Sequence, residues 1–575
     1  MSEKMRSSLR DAWRLTKPYW SSEEKWMAWA LLVTVIALNL ATVYLSVRFN
    51  YWQNDFYNAL QQYDLGTFVT QALVFSGLAT LWVLCSVYQV YCMQMLQIRW
   101  RRWLTRRYLD AWLDERAYYR LQLTGDGTDN PDQRIADDLN RFTGATLSLS
   151  IGPGGLLNSV VTLVSFLAIL WSLSGSLSVP LGAWGAIQIP GYLLWFALLY
   201  AIGGTWLTVK IGRPLVGLNF QQQRFEADFR FNLVRLRENA ESVAFYGGER
   251  RELRSFLGLF GNVIDNFWQI MRRRKRLGWF TFGYQQAAVI FPYFLAAPRF
   301  FGERMSFGWL QQTTDAFGSV QTALSFFVSS YTDIAEWQSV VQRLSSFDDR
   351  VREIAAEAHK PQPLEVRRSG HGLAVEGLDV DLPDGTALLR QVSLTIEPGM
   401  SELIVAPTGT GKSTLLRALA GIWPFARGRV RLDEGRSLFL PQRSYLPQGS
   451  LRDALTYPHE HEDVPRERFE AVLRQVGLGA LANELDAVEN WAQRLSLGEQ
   501  QRLAFARILL SEPAVVFLDE ATSALDEDSE AALYALLRKA SFHPTVVSVG
   551  HRSTLRQFHD HVLPLVVPGD ARAAG

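Results

Sequence analysis

The chain has 575 residues, 48% hydrophobic and 20% charged, with 19 Trp and 33 Phe. Mean hydropathy is only -0.01, so an apolar part and a soluble part are averaged together, and a net charge of +1 gives no bulk field for a nucleic-acid or acidic partner. The two cysteines, Cys85 and Cys92, stand too far apart on one apolar segment for a bridge (roughly 10 Å along a helix), which excludes a disulfide framework and a cysteine-held metal.

Apolar runs long enough to cross a bilayer recur at Trp26–Val47, Phe68–Cys92, Gly155–Leu173, Ile189–Val209, Gly278–Ala297 and Trp309–Tyr331. Polar residues interrupt the last two. The first begins after a charged, Pro-containing stretch and is too long for a signal-peptide core, so no cleavable signal is expected. Lys4, Arg6, Arg10, Arg14, Lys17 and Lys25 precede the first run, and Arg99, Arg101, Arg102, Arg106 and Arg107 follow the second. Arg272, Arg273, Arg274, Lys275 and Arg276 precede the fifth, whereas Ser174 to Ile189 carries no charge. This asymmetry predicts an all-α polytopic membrane domain with both termini cytoplasmic. Beside apolar spans, these basic runs are read as topology signals and not as a nucleic-acid surface. The charged loops 93–152 and 210–277 have helical periodicity and are expected to extend the membrane helices. On the sixth run Gln311, Asp315, Thr322, Ser325, Ser329, Asp333 and Glu336 fall at helical spacings on one face. Polar groups at membrane depth face protein or water, so this face is expected to line a hydrophilic, somewhat acidic path or to bond neighbouring helices.

Residues 1–357 are thus expected to form the membrane domain, 358–370 a charged, Pro-containing linker, and 371–575 a soluble α/β domain of short apolar strands alternating with amphipathic helices. In that last part the strand pattern Leu403-Ile404-Val405 runs into Ala406-Pro407-Thr408-Gly409-Thr410-Gly411-Lys412-Ser413 and then a helical run from Thr414. Strand, glycine-rich loop and helix in this order make a phosphate loop. Thr408 to Thr414 would cradle ATP with backbone N–H groups and a helix N-terminus, Lys412 would reach the β- and γ-phosphates, and Ser413 would ligate Mg²⁺. Ala406 stands where such loops usually begin with glycine, which is tolerable where φ stays negative. A second apolar strand ends in Asp519-Glu520. Asp519 is placed to hold Mg²⁺ indirectly, and Glu520 to polarise the attacking water as general base.

Between these lies Leu495-Ser496-Leu497-Gly498-Glu499-Gln500-Gln501-Arg502, which resembles the signature of the ABC superfamily, with leucine at 497 in place of its first glycine. That resemblance implies that Ser496, Gly498 and Glu499 open a helix contacting the γ-phosphate bound by a partner subunit; the same residues also read as an ordinary capping box. Gln442, after Pro441, is similar to the glutamine that senses Mg²⁺. Asp526 closes a stretch similar to the D-loop, and His551 is similar to the switch histidine. In the membrane part, the run Asn54 to Leu60 resembles the SbmA/BacA family, while Asn130 to Ile135 and the stretch from Glu226 to Gly248 are shared with the peroxisomal subfamily D half-transporters. Gly421 to Pro424 and Trp491 agree. The ordered set covers nearly the whole chain. It implies an exporter-type fold of about six spans per subunit, coupling helices at the ends of both loops, and a homodimer with ATP at two composite interfaces in the lipid of an inner membrane. The implied cargo is a bulky hydrophilic solute or peptide, cobalamin-like or antimicrobial-peptide-like, with import favoured over export. An acyl-CoA transporter or an ATP-gated regulator on the same fold are the alternatives.

The superfamily stacks adenine on an aromatic residue near Leu382, yet no aromatic occurs from Leu373 to Ile404. Leu382→Tyr is expected to add one base–aromatic stack, worth about 1–3 kcal/mol of nucleotide affinity, and to make GTP a weaker competitor of ATP. Competition binding with both nucleotides measures this, and equal selectivity before and after would count against it.

Overall fold

The computed structural model describes residues 3–123, 131–180, 186–360, 362–368, 372–407, 409–434, 436–460 and 464–565. Asn130, residues 361 and 369–371 of the expected linker, and Thr408 lie outside them. Two units emerge: Met1–Asp114 with Thr128–Arg352, and Glu115–Gly127 with Glu353–Gly575.

The first unit is helical. Among the described residues, four helical stretches are long and apolar enough to cross a membrane: Lys25–Gln61, Leu65–Leu123, Pro131–Ser174 and Tyr192–Glu238. The fifth expected run lies in the helix Glu249–Gly302. The sixth is not one helix but three, Phe307–Leu324, Phe326–Ser329 and Tyr331–Ala358. The chain turns at Ser325 and Ser330 between them, where Ser329 Oγ donates to the carbonyls of Ser325 and Phe326. Gln312, Thr313, Thr314 and Gln321 of the first of these helices are buried. The uncharged stretch after Ser174 forms an antiparallel hairpin, Ser176–Pro180 against Ala186–Pro190. Phe166, Leu170, Leu193, Ala197, Phe317 and Val320 pack the third, fourth and sixth runs together.

The run Asn54 to Leu60 has a local task. Asn58 Oδ1 accepts from the amide of Gly308 at 3.1 Å, and Gln61 Oε1 from that of Phe307 at 2.8 Å, so the end of the first membrane helix caps the start of the sixth run. A Cβ at Gly308 would collide with the Asn54 carbonyl and the Asn58 side chain; only glycine allows the approach.

The long helix Leu65–Leu113 stops where Glu115 and Arg116 take φ of 48° and 57°. The chain then turns into the short helix Ala117–Leu123, whose Leu123 packs on the core of the second unit. The next segment carries a π turn, Arg134–Asp138. Asp138 is buried and receives Arg134 at 2.8 Å and Arg343 at 2.9 and 2.7 Å. Arg14 of the N-terminal helix Glu3–Trp20 meets Asp349 at 2.8 Å, so the helix Tyr331–Ala358 is gripped by charge from two sides.

In the second unit a five-stranded parallel sheet runs, edge to edge, His561–Pro564, Ser401–Val405, Thr545–Val549, Val515–Asp519, Ser437–Leu440. A second sheet of four strands has Leu373–Asp381 paired antiparallel to both Ala387–Ile396 and Ala426–Leu432, and Leu364–Arg368, which lies within the expected linker, paired parallel to Ala426–Leu432. The central strands are buried nearly throughout, the uniform apolarity that a parallel sheet covered on both faces requires.

Asp138→Ala removes the counter-charge shared by two largely buried arginines, with side chains 11% and 17% exposed. The expected cost is about 3–5 kcal/mol, read as a lowered melting temperature of the solubilised protein. An unchanged transition would contradict this account of the π turn.

Candidate nucleotide site

The strand Ser401–Val405 delivers the chain to the loop from which the helix Lys412–Leu419 starts. Gly409 and Gly411 take φ of 87° and 88°, conformations that side chains resist, and Leu388 occupies the place where a Cβ of Gly411 would lie. Ala406 is not among the residues with positive φ and is buried in the core. The glycine-only geometry therefore falls on 409 and 411, which is why alanine is accommodated at 406. Thr410 Oγ1 donates to the Pro407 carbonyl and Lys412 Nζ to the Ala406 carbonyl, both at 2.8 Å. Thr414 follows Ser413 in the first turn of the helix.

Asp519 ends its strand beside this helix, and Ser413 hydrogen-bonds its carboxylate. Burial pushes the Asp519 carboxyl above its ordinary range, and the neighbouring Glu520 charge pushes it further. At Glu520 the chain turns through the left-handed region, φ 47°, with the Glu520 amide on the Val549 carbonyl at 3.0 Å. That turn presents the Glu520 carboxylate to two side chains at once. Gln442 Nε2 donates to Oε2 at 3.0 Å, and His551 Nδ1 stands 3.4 Å from Oε1. Lys412, Ser413, Asp519, Glu520, Gln442 and His551, spread over four segments of sequence, are thus gathered at the carboxyl ends of three adjacent parallel strands and the loop after a fourth.

Ser496, Gly498 and Glu499 form a second cluster. Ser496 caps the helix Leu497–Ser511: its Oγ accepts from the Glu499 amide, while Glu499 Oε2 accepts from the Ser496 amide at 2.9 Å. This reciprocal bonding holds the Glu499 carboxyl below its ordinary range. Leu497 is the first helical residue, with ordinary helical backbone and a half-exposed side chain, so nothing there demands glycine. Asp526 caps the helix Glu527–Arg538 through the Ser529 amide at 2.8 Å. Among the described residues no hydrogen bond or ion pair joins Ser496, Gly498, Glu499 or Asp526 to the phosphate loop.

Two residues of this region escaped the sequence reading. Gln501 and Arg552 both bind the turn before Asp526. Their only signal was adjacency, Gln501 within the signature run and Arg552 directly after His551. Arg507, deep in the signature helix, donates to the carbonyls of Ala454 and Tyr445 at 2.7 and 2.8 Å, and burial lowers its pKa to about 10.

Comparison with known proteins agrees with this geometry. Residues 15–301 match the family ABC transporter transmembrane region 2, and 389–523 match the family ABC transporter. The chain is 35% identical to ABC transporter D family member 2, chloroplastic, of Arabidopsis thaliana, over 97% of this chain and 87% of that protein. It is 33% identical to the inner membrane ABC transporter ATP-binding protein YddA of Escherichia coli, over 95% and 96%. It is 29% identical to the lysosomal cobalamin transporter ABCD4 of Homo sapiens, over 95% and 92%. A bacterial Atm1-family ABC exporter with ATP bound shares the fold with a TM-score of 0.72, covering 93% of this chain and 94% of that one at 19% identity.

Glu520→Gln keeps the shape of the side chain and removes its basicity. ATP hydrolysis is expected to fall by about 10²–10⁴-fold, the usual worth of a general base, with ATP binding retained. Phosphate release and nucleotide binding measured together check this; hydrolysis within the wild-type range would remove Glu520 from the role.

Proposed function

We propose, from the premise that this chain belongs to the ABC transporter family and resembles its subfamily D half-transporters, that it is an ATP-driven homodimeric pump for a bulky hydrophilic solute or peptide in an inner membrane. The observation that carries the cargo class is a cavity of about 1100 Å³ within the membrane unit. Among the described residues that line it, Asp315 is the one charged side chain, and the others offer amides and hydroxyls such as Gln89, Asn158, Gln285 and Gln311 between apolar groups. An acyl-CoA, with its phosphates, meets no cation there. A neutral or cationic hydrophilic cargo meets donors, acceptors and one carboxylate.

Asn50 orients that carboxylate. It is fully buried on the first membrane helix and donates to Asp315 Oδ2 at 2.7 Å and to the Gln312 carbonyl at 3.0 Å. Gln89 lines the same cavity, 2% exposed, and its Nε2 has no hydrogen-bond partner among the described residues. A buried donor without a partner is costly, and a polar cargo would satisfy it. Of the seven residues on the expected polar face, Gln311, Asp315, Thr322 and Ser329 line the cavity. Ser325 instead bonds Tyr284 and Gln321, and Glu336 pairs with Arg141; Asp333 is exposed. The human relative is a lysosomal cobalamin transporter, and cobalamin lies within the same cargo class.

Two subunits are needed because one chain keeps its phosphate loop and its signature apart. The short helix Ala240–Tyr246 adds support: Phe245 and Tyr246 are 83% and 88% exposed, an aromatic pair suited to cover by a second copy. The oxygen donors Ser413, Asp519 and Gln442 fit Mg²⁺, which is held by few protein ligands together with substrate phosphates. No group of three or more His, Cys, Asp or Glu among the described residues could hold a metal alone. When bound, the ion would neutralise charge on the β- and γ-phosphates. Glu520, aimed by Gln442 and His551, takes the proton of the attacking water. Closure around ATP and opening after hydrolysis shift the population of two cavity states through contacts that differ between them.

Asp315→Asn is expected to weaken a cationic peptide by about 1.5–3 kcal/mol, the worth of a hydrogen bond to a charged group, and to affect neutral cobalamin less. Cargo binding by tryptophan fluorescence and cargo-stimulated ATPase read this. Unchanged kinetics in both Asp315→Asn and Ser329→Ala would detach the cavity from the cargo path.

A further inference from the structure

Beside the nucleotide machinery lies a polar network that the hydrolytic step does not use. The turn from Ser523 to Asp526 is held from two sides. From the switch segment, the Arg552 guanidinium donates to the Leu525 carbonyl at 2.9 Å and to the Ser523 carbonyl at 2.7 Å. From the signature helix, Gln501, 2% exposed, donates to Ser523 Oγ at 3.2 Å and accepts from the Ala524 amide at 3.0 Å. Three successive residues thus give their main chain or side chain to two residues from other elements. Behind them sits Glu530, fully buried, accepting from Thr522 at 2.6 Å and Thr554 at 2.9 Å, with Arg552 Nη1 at 3.8 Å from its carboxylate. Glu530 supplies the counter-charge that keeps the guanidinium in place, and both its hydroxyl partners flank the segments being joined.

We infer that Arg552 is a positioning residue for ATP hydrolysis: it locks the 523–525 turn to the Glu520–His551 pair, and through Gln501 to the signature helix. The reasoning is geometric. His551 touches the general base and Arg552 is its neighbour in sequence, so a shift of the switch segment displaces two carbonyls of the turn. Gln501 then passes that displacement to the helix that Ser496 opens. A guanidinium suits this task because its planar fork fixes two acceptors at once, whereas an ammonium is a point charge without preferred directions. Resting on the homodimer reading, the same lock links the two composite sites, because the switch reports on the nucleotide of one site while the signature helix completes the other.

The network joins the signature helix, the 523–525 turn and the switch segment, so a loss of kcat at unchanged ATP affinity tells positioning from a merely structural role. The test uses the full-length protein in nanodiscs, with ATPase rate against ATP concentration, ATP binding by a fluorescent analogue, and particle mass. Arg552→Ala is expected to lower kcat by about tenfold to a hundredfold, as small misplacements of catalytic groups do, with ATP affinity unchanged and cooperativity in ATP lost. Arg552→Lys recovers part of kcat, and Gln501→Ala reproduces the loss of cooperativity. Arg538→Ala, which breaks the exposed Arg538–Asp560 pair, leaves every parameter at the wild-type value. Unchanged kcat in Arg552→Ala overturns the inference, as does loss of ATP affinity in step with the melting temperature and no recovery in Arg552→Lys. A wild-type Hill coefficient of one on single-chain particles sinks the homodimer reading instead, and is told apart because the kcat of Arg552→Ala still reports on the lock.

Discussion

The nucleotide unit depends on one carboxylate. Glu520 is carried by a residue whose backbone lies in the left-handed region, φ 47°, a conformation an ordinary side chain adopts only where its surroundings enforce it. Here they do. The amide is tied to Val549, and the two carboxylate oxygens face Gln442 and His551. Each partner comes from a different strand end, so the parallel sheet that brings Ser437–Leu440, Val515–Asp519 and Thr545–Val549 side by side is the condition for the site. Another strand placed between any of these three would separate the residues.

The membrane unit solves a different problem. Polar groups at bilayer depth must find partners within protein, and the chain does this in two ways. Some are consumed locally, as when Ser329 returns to its own helix or Tyr284 bonds Ser325. Others, Asp315 and Gln89 among them, gather around a cavity. The first membrane helix does double duty, since Asn50 aims Asp315 and Asn58 caps the helix that bears it. The orientation of the cavity wall and the start of the sixth run are therefore set by one element.

Legibility in the sequence followed the range of the interactions. The phosphate loop, the strand ending in Asp519 and the signature cap are contiguous patterns whose spacing reflects local backbone geometry, and they were readable residue by residue. The tolerance of Ala406 was readable as a condition on φ, which the structure meets. Gln501, Arg552 and Glu530 were not readable as a network, because they meet across separations that no local period encodes. Asn50 was hidden for a related reason: a single amide in an apolar run shows no partner until helices pack, though its presence at membrane depth is itself a signal. The sixth run read as one amphipathic span because polar spacing alone does not reveal where a helix is interrupted. The hairpin after Ser174 was not legible because strands so short leave little periodicity.

Hydrolysis at Glu520 is proposed to drive a hydrophilic cargo through the membrane unit. The test reconstitutes the protein in vesicles with nucleotide domains outward, supplies ATP, and follows labelled cobalamin and a labelled cationic peptide in wild type and Glu520→Gln. The expected result is ATP-dependent movement of at least one cargo, lost in the variant. Accumulation in the lumen reports export, and ATP-driven loss of preloaded cargo reports import. Intact ATPase with neither cargo moved in either direction would contradict it.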